Sequence, residues 1–563
     1  MSKSIYSKVM VPKPKRSVFD LSYNNAFTAR FGELIPCYVE DVLPGDKFRI
    51  SNASMVRMNP LKVPFMGNIR VTTHTFFVPY RLVWKNWDKF ITGGPDGTSA
   101  PVMPNIGAGN VAFNGVYSPT PLLDFLNKTR SFQAASGSTS TYNEVHPKVN
   151  ILDLRAYWKI WNDYYRDQNL QQDLFDDSLT THLVDGDGTS IMVGDVNTFV
   201  SQTGVNIPNG VTLNSIIATT QLAHRAWKKD LFTSALPWAQ RGVPVSIPVF
   251  DAGVPVKYHV LSGSPEVPPD ENGQFIFDLD ASTAANNGLT SLVVQGIGAS
   301  PTTGELVNGT SAASVNIEDL RMANALQRWL EHNALGGSRL KEQIFAHFGV
   351  TVPDFRLDRP EFIGGNTYSI LSNKVMQTSE TSQTPLGTLG GEGFGSGSMK
   401  PATYFVREHG IIMTLMSITP ESIYSQGVHR RSLKFDHLDY FFPEFENLGE
   451  QEIKSEELYV DSNFGSNTKN GTTFGYGPRW YEYKDRVNEV HGLFRTSQAY
   501  WVPQRIFSGV PGLNGDFVQI NPSKEGSLNN IFAVTDDPAP FQVLVHNSVR
   551  AVRPMSKYSR FNF

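Results

Sequence analysis

Glycine and proline interrupt this chain at short intervals from one end to the other. Its 563 residues include 47 of the first and 35 of the second. Proline has no amide proton to give a helix or a sheet ladder, and glycine weakens both. Long uninterrupted helices are therefore excluded over most of the length, and many short strands joined by irregular loops are expected instead. Length alone suggests two to four domains. No charge-rich linker divides the chain and no fixed-period repeat is present, so one β-sandwich with elaborate connections explains the pattern better.

Strand-like runs are spread from residue 31 to residue 549. Val39–Leu43 and Lys47–Ile50 flank a Pro44-Gly45-Asp46 turn. Ile69–Val78 is β-branched and aromatic, and Pro79 ends it. Another strand falls within 404–418, and in 541–549 Phe541, Val543 and Val545 alternate with Gln542, Leu544 and His546. Helical spacing of Leu154, Trp158, Trp161 and Tyr165 predicts a helix over 151–168. A second is expected over 316–335, capped by Asn316, with Glu318 and Asp319 in its first turn and Gly336-Gly337 at its end. Its Leu320, Leu326, Trp329 and Leu330 spread over more than one face, which predicts broad burial. Ser338 opens a third, ending at Phe348. Residues 95–150 read as an inserted loop region with little regular structure. Residues 242–315 are poor in charge and are expected to form a small β-structure of their own, including Leu292-Val293-Val294. The alternating Gly391, Gly393, Gly395 and Gly397 predict that the segment 386–399 is flexible until something orders it.

Charged residues make up only 18% of the chain, below the usual quarter, while 36 Phe, 20 Tyr and 9 Trp supply large apolar surfaces. Such a surface has to be hidden in a large core or against neighbours. The formal net charge of −4 is unevenly placed. Lys3, Lys8, Lys13, Lys15 and Arg16 form a basic N-terminal arm over 1–19, and Arg550, Arg553, Lys557 and Arg560 a basic C-terminal arm over 550–563, neither with an acid. The middle is correspondingly acidic. Basic arms can neutralise phosphates, though charged termini are also often plain solvated tails. An acidic body does not coat DNA unaided, so a separate basic protein would have to do most of the neutralising. The single Cys37 allows no intrachain disulfide, fits a reducing compartment, and lies in an apolar run that predicts a buried structural thiol. No stretch approaches the ~18 apolar residues of a membrane span. The lysines near the N-terminus are not followed by an apolar segment, so a soluble, unexported chain is expected.

Motifs for chemistry are missing. There is no phosphate-cradling G-x-x-x-x-G-K-[ST], no H-E-x-x-H and no G-x-S-x-G. Asp185-Gly186-Asp187-Gly188 lacks the further ligands of a calcium loop and predicts a tight turn. His429 and His437 flank Arg430, Arg431 and Lys434 with no nucleophile nearby, and are expected to be structural, in the core or at an interface. No catalytic residue, cofactor or metal is expected. The alternative class is a carbohydrate-binding or carbohydrate-cleaving β-sandwich protein, which would need exposed rings beside Asp/Asn in one cleft, or paired carboxylates.

Six ordered runs carry a resemblance. They are Ile35-Pro36 through Lys47-Phe48 with the strand at 69–79 and the aromatic run Phe76–Gly94; Ile160-Trp161-Asn162-Asp163-Tyr164-Tyr165-Arg166-Asp167; Asp230-Leu231-Phe232 through Leu236-Pro237-Trp238 to Gly242; Leu335-Gly336-Gly337 to Gly349-Val350 with Arg359-Pro360-Glu361-Phe362; Phe474-Gly475-Tyr476 with Arg479-Trp480-Tyr481-Glu482-Tyr483-Lys484 and Gly492–Arg495; and Arg553-Pro554-Met555-Ser556-Lys557-Tyr558. In this order they resemble the major capsid proteins of the gokushovirus-like Microviridae, small icosahedral single-stranded DNA phages. The loops at 95–150, 175–220 and 242–315 depart from the family's pattern.

The resemblance implies a mainly β chain: an eight-stranded antiparallel jelly-roll β-sandwich with long inserted loops and a few α-helices. The whole of 1–563 would be one capsid domain, with 243–315 a surface projection at the three-fold axes. It implies a structural homo-oligomer, a T=1 icosahedral shell around circular ssDNA, assembled in the bacterial host cytoplasm and found in the virion. Implied partners are a small basic DNA-packing protein, a pilot protein and an internal scaffolding protein, with a host surface receptor or glycan contacting the projection. Lys13, Lys15, Arg16, Arg553, Lys557 and Tyr558 are the DNA-contact candidates. Trp84, Trp87 and Phe90 are candidates for the subunit interface, or else for filling the core beneath a loop.

Overall fold

A computed structural model describes residues 15–95, 97–114, 118–129, 131–134, 141–176, 182–183, 191–205, 207, 213–241, 275–277, 292–294, 317–336, 340–376, 389–446, 449–465, 468–534 and 539–558. These fall into two compact units, one of residues 1–241 with 331–563 and one of Gly242–Leu330.

Ten strands build the main sheet of the first unit, all pairings antiparallel. In chain order they are β1 (Ser17–Asp20), β2 (Tyr23–Ala29), β3 (Ile35–Val42), β4 (Lys47–Met58), β5 (Ile69–Pro79), β6 (Glu361–Met376), β7 (Leu389–Ser398), β8 (Ala402–Phe405), β9 (Gly410–Pro420) and β10 (Phe541–Arg553). The path across the sheet is β1-β10-β4-β7-β6-β5-β9-β3. Strands β1 and β2 run in succession along β10, and β7 and β8 in succession along β4.

The sixteen-residue β6 carries the sheet from one layer to the other. Its residues up to Ile370 pair with β5, and those from Leu371 onward pair with β7. One layer is thus β3-β9-β5-β6, the other β6-β7/β8-β4-β10-β1/β2. A shared apolar cluster joins them, with Tyr38, Phe77 and Ile412 from the first layer and Phe48, Ile50, Val549 and Ala551 from the second. Asn547 and Asn25 both donate side-chain amides to the Cys37 carbonyl, at 3.0 and 3.1 Å, linking β10 and β2 to β3. The mainly β, antiparallel expectation therefore holds, with ten strand segments in a sheet whose path is eight strands long.

Burial explains the sequence of each strand. β10 alternates buried and exposed residues because only one face meets the core. β9 is buried almost throughout because both faces are covered. Its second covering is the helix α2 (Leu152–Ile160; the shorter α1 is Trp87–Thr92), which continues as one wide π-helical turn through Tyr165. Tyr157, Trp158 and Trp161 are fully buried there, and their polar atoms are satisfied by the carbonyls of Leu34, Thr219 and His224 at 2.8, 2.8 and 3.2 Å. Cys37 is buried as expected, and burial pushes its thiol up to about 12.

The glycine run is ordered as strand β7 by pairing with β6 and β4. Its glycines face inward, where a Cβ at Gly397 would stand 2.3 Å from the Tyr368 ring and one at Gly393 2.3 Å from the Met58 sulfur. Two expectations change. Residues 95–150 hold regular structure: Gly109–Asn114, Ser131–Ala134 and Thr141–His146 form a small antiparallel sheet, and Asn105–Ile106 pairs with Val149–Asn150. The helices α3 (Ile317–Gly336) and α4 (Leu340–Phe348) lie where expected. However, Leu320, Leu326 and Trp329 are 50%, 44% and 52% exposed, so the broad burial expected of α3 is not found. Asn316, Ser338 and Asp185–Gly188 lie outside the described residues. Of the expected small β-structure within 243–315, Phe275–Phe277 pairs with Leu292–Val294, and the rest lies outside them.

Candidate assembly surfaces

Pro79 ends β5, and the chain turns through Tyr80–Leu82 into α1. Arg81 pins this turn by pairing with Asp358 at 2.5 Å and Glu408 at 2.8 Å. Trp84 is fully buried and belongs to the chain's own core, which removes it as a surface contact. Trp87 is half-buried against Tyr80, ring centroids 4.5 Å apart, and Phe90 is exposed together with Ile91. Of the three tryptophan and phenylalanine candidates, two remain at the surface.

A larger apolar surface follows β9. In the segment 433–445, Phe435 is 87% exposed, and Leu438, Tyr440, Phe441 and Phe442 are between 42% and 52% exposed. This ridge has a fixed base. Lys434 is buried, donates to Glu482 at 2.8 Å and to the Tyr483 hydroxyl at 2.9 Å, and lies over the rings of Tyr440 and Tyr483. The Asp439 carboxylate accepts from the backbone amides of Phe435 and Asp436, which holds its pKa below the usual range. Phe441 meets Trp480 edge-on at 5.6 Å. Five large apolar side chains left partly or wholly exposed on an ordered loop mark a contact surface rather than a folding error. Sequence reasoning passed over this ridge because its apolar residues follow no helical or strand period. The run Tyr440-Phe441-Phe442 was the available signal. His437, beside Asp436, is exposed, so the core is excluded for it.

The DNA-contact candidates separate. Lys13 lies outside the described residues. Lys15 and Arg16 are exposed just before β1, with Arg16 over the Phe405 ring at 5.9 Å. Arg553 is committed to structure: it pairs with Glu40 at 2.7 Å and Asp46 at 3.5 Å, donates to the Asp41 carbonyl, and covers the Phe48 ring. Lys557 and Tyr558 are exposed next to each other. The register Ser17↔Arg553 places the first and last strands side by side, a placement the sequence does not reveal.

The carboxylates that line the cavities are largely engaged by cations or hydroxyls, with Glu489 beside His491 at 3.4 Å. One cavity, of about 230 Å³, is lined by Tyr424, Arg430, Glu457 and Tyr481 among others, and its Glu457 is tied to Arg430 at 2.9 Å and to the Tyr481 hydroxyl. A wider cleft, of about 840 Å³, has His74, Tyr165 and Phe362 in its wall. There Glu421 pairs with Arg70, Asp167 with Lys229 and Asp354 with Lys341. Burial and the nearby Arg225 push His74 down to about 4. Among the described residues no three or more His, Cys, Asp or Glu side chains gather as metal ligands, and no helix is long and apolar enough to cross a membrane.

Residues 7–562 match the family described as capsid protein (F protein). The chain is 30% identical to "Capsid protein VP1" of Chlamydia phage 1, over 99% of this chain and 97% of that one. It is 30% identical to "Capsid protein VP1" of Bdellovibrio phage phiMH2K, over 91% and 89%. Identity to the protein of the same name from Spiroplasma virus 4 is 29%, over 97% and 94%.

Proposed function

The chain belongs to the phage capsid protein (F protein) family, a structural rather than catalytic component of the virion, and from that premise we infer that its copies close into a T=1 icosahedral shell around circular single-stranded DNA. The observation that carries this reading is a family match spanning nearly the whole chain. The exposed ridge at 433–445 supports it from the physical side. Covering five such side chains against a neighbour is worth on the order of 5 kcal/mol, which a lone chain forgoes and a closed shell recovers at every repeated contact. The carbohydrate-active alternative gives way to the family assignment.

Trp87 and Phe90 join the ridge as interface residues in this reading. Residues 243–315 form the three-fold projection and meet a host receptor or glycan. Lys13, Lys15, Arg16, Lys557 and Tyr558 extend the two sheet-edge arms toward DNA, and Arg553 anchors their base. A small basic DNA-packing protein supplies the remaining positive charge, while pilot and internal scaffolding proteins act during assembly in the host cytoplasm.

Native particles purified by sedimentation should contain this chain as the dominant protein and shield circular ssDNA from nuclease. Recovery of monomer alone under every assembly condition would refute the shell.

A further inference from the structure

Strands β4 and β10 are hydrogen-bonded to each other along twelve register pairs. Together they carry Lys47, Arg49, Arg57, Arg550 and Arg553 and not one carboxylate, in a chain where acids outnumber bases by 53 to 49. Arg553 turns to the sheet edge, where Glu40 and Asp46 take it. The other four are exposed on the solvent side, since their strand neighbours Phe48, Ile50, Val549 and Ala551 point into the core.

Arg49 and Arg550 are direct cross-strand partners. Side chains so placed start about 5 Å apart, and like charges there repel. No ion pair relieves Lys47, Arg49, Arg57 or Arg550 among the described residues. Among the described residues of these strands, the carboxylates on this side are Asp20, opposite Arg550 in the β1 register and already accepting from Ser22, and Glu392 on β7. Rings stand among the cations. Phe405, 48% exposed, is the register partner of Lys47 and lies under the Arg16 guanidinium. Phe394, 37% exposed, is the partner of Arg57.

The geometry points to the outer face of β4, β10, β7 and β8 as a binding surface for single-stranded polynucleotide, with phosphates on Lys47, Arg49, Arg57 and Arg550 and bases against Phe405 and Phe394. A row of unpaired cations gives affinity through counterion release, and exposed rings give stacking without sequence preference. An ordered sheet that places two arginines opposite each other in register is stabilised when an anion bridges them. The surface rests on the shell reading above: it is the wall, not only the arms, that meets the enclosed strand.

The test uses full-length chain with oligothymidylate as the probe, and assembled particles for DNA content. R49Q/R550Q removes the repulsion between the two guanidiniums, so its subunits should fold and assemble. Its affinity for oligothymidylate should fall, and the slope of log K against log salt should drop by about 0.7 per charge removed. R49K/R550K should restore the slope, F405A should weaken binding several-fold at unchanged slope, and K469Q, on a different exposed loop, should change neither. Shells of R49Q/R550Q should protect less ssDNA than wild type. Equal slopes and equal protected DNA in shells of both would overturn the surface and leave the capsid reading intact. Failure of wild-type chain to form shells would instead remove that reading.

Discussion

His224 is 2% exposed, and burial, with Arg30 and Lys524 nearby, pushes its imidazole down to about 4 despite a hydrogen bond involving Ile520. His74 is pushed to the same value by burial and Arg225. Both are neutral in the folded chain over a range where the unfolded chain takes up protons. Their contribution is fully present above about pH 6.5 and is lost as pH falls toward 4. The loss is on the order of 3 kcal/mol per histidine. Subunit unfolding in urea should therefore show stability falling between pH 6.5 and 4, with H224Q flattening part of that fall. A flat wild-type profile over this interval would contradict the burial argument. Neither residue could have been singled out from the sequence, where a histidine's titration depends on neighbours hundreds of positions away. Cys37 was easier, because the apolar residues flanking it along the chain also surround it in the core.

Strand β7 shows how an element can depend on what its residues lack. Every second position is glycine, so its inner face is bare backbone, and Tyr368 and Met58 press against it. Tyr368 has little room to withdraw, since its hydroxyl is 2.8 Å from the Ser54 hydroxyl. G397A should destabilise the subunit by about 1–3 kcal/mol through overpacking. Gly509, with open space at its Cβ position and no left-handed backbone, should accept alanine at almost no cost. Thermal unfolding of the two variants decides the matter, and equal midpoints would mean that Tyr368 does move aside. β7 was illegible because strand propensity counts side chains that fit a pleated surface, and its glycines supply none. The strands over 69–78 and 541–549 were legible for the opposite reason: β-branched and aromatic residues, and in β10 a clean alternation, announce a buried face. The broad burial expected of α3 is not what the structure shows, since Leu320, Leu326 and Trp329 are exposed, and a spread of apolar residues round a helix does not say what packs on it.

At the scale of the whole molecule, the ridge at 433–445 links the subunit to the shell. It hangs on the Lys434–Glu482 pair and the Phe441–Trp480 contact, while Phe435 is 87% exposed and Phe442, 42% exposed, meets Phe445 of the same short loop at 6.4 Å. F435S/F442S therefore removes contact surface and leaves the supports in place. The subunit should unfold at the wild-type temperature, yet shells should need at least about tenfold more protein to form, since each buried phenylalanine is worth about 1.5–3 kcal/mol and a tenfold change costs about 1.4. Light scattering against concentration measures this directly. F441S is the contrasting variant: it breaks the contact with Trp480, so the subunit itself should lose stability. Shells of F435S/F442S assembling at the wild-type concentration would place the interface elsewhere, with the exposed residues of α3 and the Trp87–Phe90 surface the next to change. The same reasoning explains why the family was readable from ordered runs while the contact surface was not. The runs fix local turns and core positions that adjoin in sequence. A surface between copies, like the pairing of Ser17 with Arg553, depends on register set across hundreds of residues.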